Sequence, residues 1–112
     1  KTGSKPKTRG QIEGTTKEMV PPEKIRSYLI ELAKVAKMQV LSEPLIYNGH
    51  KLGFGGWVLW KTSGCAFYTY PCKPALFSVD CHTCKPFDPK KVFEFTKKYL
   101  NAIDCVWQEV KI

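Results

Sequence analysis

The chain is 112 residues long, 43% hydrophobic and 25% charged, and its 18 Lys and Arg against 10 Asp and Glu give a formal charge of +8. That is one small domain or one protomer of an oligomer, able to bury a modest core, with the composition of a soluble globular protein. No run of about 18 apolar residues exists, which excludes a helical membrane span, and the basic, polar N-terminus gives no reason to expect a secretory signal.

The basic balance suits nucleic acid only if the charge is gathered. Lys1, Lys5, Lys7 and Arg9 are spaced by Gly, Ser, Thr and Pro, a composition that cannot bury apolar surface. Residues 1–10 are therefore expected to be a disordered basic tail, and 11–112 a single domain. The other positive charges spread along both helical segments as solvated faces, suited to solubility or to attracting anionic groups. The aromatic residues fall at strand and helix spacing, as core residues do, and not as an exposed stacking series. Five cysteines without a secretory signal argue against a disulfide framework and for a reduced, cytoplasmic setting.

In chain order, Arg9 to Glu13 reads as a short strand. Pro21-Pro22 opens a helix, and Ile25, Tyr28, Leu29, Leu32 and Ala36 repeat as one buried stripe. Strands are expected at Met38 to Leu41 and Leu45 to Tyr47. Asn48-Gly49 is the strongest turn signal, since both residues tolerate positive φ. Gly53 to Gly56 is a second breaker, followed by strands at Trp57 to Lys61, Ala66 to Tyr70 and Leu76 to Thr83. Asp88-Pro89 starts a second helix that buries Val92, Phe95, Tyr99 and Leu100. Ile103 to Ile112 alternates as a closing strand. Strands without parallel βα alternation, plus two helices, predict an α+β two-layer sandwich: one antiparallel sheet with two helices on one face. An open sheet face or edge on so small a domain favours a homodimer, or pairing with a paralogue.

Strand geometry sends Phe77, Val79 and Cys81 one way and Ser78, Asp80, His82 and Cys84 the other. A face carrying Asp, His and Cys is a solvated surface or the wall of a pocket. In a pocket, Cys84 would act as acid, base or nucleophile, with Asp80 and His82 tuning its thiol. Cys81-His-Thr-Cys84 is weak as a zinc or redox motif. Its two cysteines fall on opposite faces of a strand, and no second Cys-x-x-Cys or His pair completes a tetrahedral site. No metal is expected.

Gly53-x-x-Gly56, an apolar strand, Thr62-Ser63, then Tyr68-Thr-Tyr-Pro71 and Val79-Asp80-Cys-His-Thr-Cys84 together resemble the prokaryotic and archaeal pyruvoyl-dependent S-adenosylmethionine decarboxylases. Lys85-Pro-Phe-Asp-Pro-Lys90, the helix to Leu100, and Glu23 to Leu41 fall in the same register. The resemblance implies that Ser63 attacks the carbonyl before it and becomes a chain-terminal pyruvoyl group. That ketone condenses with the substrate amine and takes up the electrons released with CO₂. Thr62-Ser63 would be the cleavage site, Ser63, Cys84 and Tyr68 the catalytic positions, and Asp80 and His82 supporting groups. The substrate would be S-adenosylmethionine and the product the aminopropyl donor of polyamine synthesis.

Four positions depart from the family pattern. Its glutamate before the serine is Thr62, its histidine after the serine is Gly64, its processing histidine is Tyr68, and its acidic residue after the proline is Cys72. One extra residue lies between Pro71 and Cys84. A phenol keeps its proton at neutral pH and is a poor replacement for an imidazole base. The sequence also runs unbroken through a serine at position 63, whereas a processed member is two chains. The expectation is a divergent family member that does not self-process. The alternatives are an active pyruvoyl decarboxylase and a small basic nucleic-acid-binding domain.

Overall fold

The computed structural model describes residues 8–61, 63–83 and 87–110. In chain order it contains β1 (Thr8–Thr16), α1 (Pro22–Val35), β2 (Leu45–Asn48), β3 (Phe54–Trp60), β4 (Ser63–Tyr70), β5 (Ala75–Thr83), α2 (Pro89–Tyr99) and β6 (Asp104–Val110). The strands form one antiparallel sheet in the order β2-β3-β4-β5-β1-β6. Both helices pack on the same face, so the expected α+β two-layer sandwich is what the chain forms.

The helices form where the apolar stripes require them. Ile25, Tyr28, Leu29, Leu32 and Ala36 are all buried. Asp88 caps α2 by accepting from the Lys90 and Lys91 backbone N–H groups, satisfying two donors that a helix start leaves unpaired. Beneath the helices lie Ile12, Val58, Trp60, Phe67, Phe77 and Val79, each at most 2% exposed. Gly56 lets α1 approach: a Cβ there would lie 2.5 Å from Ile25 Cγ2. Thr96, which periodicity did not mark, is fully buried because its hydroxyl meets the Tyr28 hydroxyl at 2.6 Å. Phe95 and Tyr99 are only half-buried. Tyr28→Phe or Thr96→Val should each lower unfolding free energy by about 1–3 kcal/mol by orphaning the other hydroxyl. The double variant should lose less than the sum, measured by urea denaturation.

Several expectations need correction. Positions 9 and 10 are strand, as the Arg9 to Glu13 reading has it, and not tail. Arg9 and Gly10 pair with both β5 and β6, and Gly10 is covered by Trp107, whose Cη2 would lie 2.0 Å from a Cβ at position 10. Residues 1–7 lie outside the described residues. Met38 to Leu41 is not a strand: only a Val40–Trp60 bridge forms, because the chain leaves α1 with Met38 N–H bonded to the Ala33 carbonyl and turns Met38 into the core. At the β2–β3 turn the positive φ values sit at His50 (51°) and Gly53 (117°), while Gly49 has φ −92°. The Asn48 side chain accepts from the His50 N–H and shifts the turn onward. Gly53 alone breaks the chain there; Gly55 and Gly56 are inside β3.

Candidate functional site

The face of the sheet away from the helices carries the residues that chemistry would use. On β5, Phe77, Val79, Cys81 and Thr83 are buried toward the helices, while Ser78, Asp80 and His82 point outward. Strand alternation thus places Asp80 and His82 together, two residues apart on one face. Register then brings two rows across four strands. One row is Leu59, Gly64, His82 and Arg9; the next is Trp57, Ala66, Asp80 and Gln11.

Gly64 and Ala66 are the small members of those rows, and they form the floor of a trench of about 440 Å³. Trp57 and Leu59 make its apolar wall, and Asp80, His82 and Arg9 its polar wall. The volume lies within the range of small-molecule sites. The floor has little room for a larger residue: a Cβ on Gly64 would sit 3.2 Å from the Val58 carbonyl oxygen and 3.7 Å from Trp57 Nε1. On the polar wall, Arg9 Nη2 donates to Asp80 Oδ2 at 3.0 Å and Nε to Oδ1 at 3.4 Å. That hydrogen bond and the carboxylate charge raise the Arg9 pKa above its already high value, so the guanidinium is always charged. The sequence reads Arg9 both as the end of a basic tail and as the start of a strand; the β1–β5 pairing decides for the strand and brings Arg9 beside Asp80.

Ser63 opens β4 at one end of the trench, but its hydroxyl turns to the helix face and donates to Met38 Sδ at 3.9 Å. Thr83, its cross-strand partner, donates to the same sulfur at 3.9 Å. Tyr68 is five residues further along β4 on the outward face, opposite Ser78 and Gly55. Strand rise separates positions 63 and 68 by about 16 Å. The predicted group is therefore divided: Asp80 and His82 share the trench, Ser63 borders it facing inward, and Tyr68 lies beyond it. Thr62 and Cys84 lie outside the described residues.

Two further features bear on chemistry. Cys65 and Cys81 face each other across β4 and β5 with sulfurs 3.2 Å apart, and burial pushes the Cys65 thiol well above its ordinary range. Tyr47, Trp57, Tyr68 and Tyr70 are exposed on the open face and line a second groove, correcting the expectation that the aromatics are core residues. They alternate outward from strands whose inward neighbours are Trp60 and Phe67. Among the described residues, no Lys or Arg lines that groove. Among the described residues, no three His, Cys, Asp or Glu gather as metal ligands, and no helix is long and apolar enough to cross a membrane.

A two-layer α+β fold, one antiparallel sheet with two helices on one face, defines the class of protein. The S-adenosylmethionine decarboxylase family model matches residues 12–111, and the chain belongs to that family. The crystal structure of the adenosylmethionine decarboxylase from Aquifex aeolicus VF5 superposes with a TM-score of 0.76 at 22% identity, covering 97% of this chain and 92% of that one. Among curated proteins, none matches the chain.

Proposed function

We propose that this chain is a divergent S-adenosylmethionine decarboxylase-family protein that stays uncleaved and binds S-adenosylmethionine or a related small molecule in the trench. The observation that carries the first half is the orientation of Ser63. Self-cleavage needs a group that takes the serine proton and one that holds the developing oxyanion. The described partner of the Ser63 hydroxyl is a thioether, which can do neither usefully at neutral pH. Tyr68 is on the other face, and His82 points outward. The described residues therefore do not fit formation of a pyruvoyl group at position 63.

The trench supports the second half. At position 64 the family's histidine would stand on the trench floor, where this chain has glycine. The opening that results is bounded by an indole on one side and an ion pair on the other, which suits a ligand with an apolar planar part and a charged end. The active decarboxylase is the competing reading, and intact mass with CO₂ release from S-adenosylmethionine separates the two. Nucleic-acid binding is disfavoured because the described residues that line the exposed aromatic groove include no Lys or Arg to hold a phosphate.

We further propose a reduced, cytoplasmic setting, which an odd count of five cysteines suits better than a disulfide framework. We also propose a homodimer, or a pair with a paralogue, formed through the open sheet face. Tyr47 (70% exposed), Val106 (63%), Tyr70 (44%) and Leu76 (43%) leave apolar surface there for a second chain to cover. Sedimentation should report a dimer at micromolar concentration, and Val106→Glu with Tyr70→Lys should shift it toward monomer. A monomeric parent chain would overturn this assembly.

A further inference from the structure

We propose that Arg9 and Asp80 together recognise the amino-acid end of the trench ligand, Arg9 taking its α-carboxylate and Asp80 its α-ammonium. The assignment rests on the small-molecule reading of the trench given above. A guanidinium presents five N–H donors in a fixed fork, and Asp80 engages the edge formed by Nε and Nη2, at 3.4 and 3.0 Å. The Nη1 edge is not used by Asp80. A carboxylate offers about four lone-pair sites, so Asp80 keeps acceptor capacity while it holds Arg9. Both side chains reach solvent, at 43% and 28% exposure, and both line the trench.

Charge matching favours a zwitterion over a simple anion or cation. The pair is neutral, and so is an α-amino acid head, so docking one on the other leaves no unpaired charge at that end of the trench. The rest of the ligand then lies across Gly64 and Ala66 toward Trp57 and Leu59; in S-adenosylmethionine that part carries the sulfonium, which an indole wall attracts through its π face. Arg9 is also held in place from below. Its neighbour Gly10 is covered by the Trp107 ring, and Arg9 is registered opposite His82, which pins β1 where the guanidinium projects. An arginine on the carboxylate stabilises that charge in the bound state. Such an interaction favours retention of the carboxylate over its loss as CO₂, because it is stronger in the ground state than after the charge has left.

Calorimetric titration of the full chain tests this with S-adenosylmethionine and its decarboxylated counterpart, which differ only in the carboxylate. The parent chain is expected to prefer the carboxylate-bearing ligand by about tenfold, the scale of one charge-assisted contact. Arg9→Met, which keeps the aliphatic stem, should bring the two ligands within about twofold by weakening only the first. Arg9→Lys should keep part of the preference, and Asp80→Asn should weaken both ligands alike, since both carry the ammonium. Equal binding of the two ligands by the parent chain, or a preference that survives Arg9→Met, overturns the assignment and leaves the trench reading standing. Failure of the parent chain to bind either ligand overturns both. Unchanged thermal melting of the variants separates lost recognition from lost fold.

Discussion

After purification and long incubation at neutral pH, the protein should show the intact mass of its full 112-residue chain and release no CO₂ from S-adenosylmethionine. Cleavage before Ser63 would instead yield a fragment of residues 1–62 and a pyruvoyl-capped fragment beginning at position 63. Detecting that pair would sink the proposal. The expectation follows from where β4 places its side chains. Alternation along the strand buries Cys65, Phe67 and Thr69 on the helix side. Ser63 follows the same parity, donating to Met38 beside Thr83. A base on the opposite face cannot serve it without breaking the register. Tyr68→His should therefore leave the chain intact, because position 68 is about 16 Å from position 63 along the strand. Gly64→His should reduce binding in the trench, since even a Cβ there meets the Val58 carbonyl oxygen at 3.2 Å. Combining these changes with Thr62→Glu, and following the mass, measures how much of the cleavage machinery the departures at positions 62, 64 and 68 removed.

Phe67→Ala should be among the most damaging single changes in the domain, lowering unfolding free energy by about 3–5 kcal/mol. Phe67 is fully buried at the centre of β4, with its ring 5.5 Å from Tyr28 and 6.1 Å from Phe77. Removing it empties the junction between α1 and the sheet, where the surrounding backbone is hydrogen-bonded on both sides and cannot collapse inward. Against a total stability of about 5–15 kcal/mol, that loss leaves a measurable unfolded fraction or no folded protein. Urea denaturation should show a lower midpoint with an unchanged slope. Tyr68→Ala, one residue along the same strand, should cost less than about 1 kcal/mol, because its side chain is 45% exposed on the open face. Comparable losses from the two variants would contradict the assignment of faces.

Much of the fold could be read before the structure was known. The stripe from Ile25 to Ala36 identified α1, Asp88-Pro89 identified the start of α2, and alternation in Phe77 to His82 assigned the two faces of β5. These are local properties: a period of 3.6 or 2 residues, or a cap within one turn, leaves its mark in adjacent positions. The loops were less legible. Asn48-Gly49 carries a strong turn signal, yet the Asn48 side chain moved the bend onward to His50 and Gly53. The extra residue that the resemblance implies between Pro71 and Cys84 has its place in the β4–β5 connection, because the pairing is unbroken from Tyr70↔Leu76 to Ser63↔Thr83.

The site divides the same way. The sequence by itself determined the family, the sandwich of one antiparallel sheet and two helices, and the outward pairing of Asp80 with His82. The resemblance further implied that Thr62, Gly64, Tyr68 and Cys72 depart from the family's pattern, and that implication is what the mass experiment addresses. Only the tertiary structure decided that Arg9 belongs to the site, that Ser63 faces Met38, and that Gly64 and Ala66 are the floor of a trench walled by Trp57. Arg9 and Asp80 are 71 positions apart in sequence and adjacent only because β1 inserts between β5 and β6. Side-chain direction is written locally, in the alternation of a strand. Which strands lie side by side is set by how the whole chain buries its apolar surface, and no local pattern carries that information.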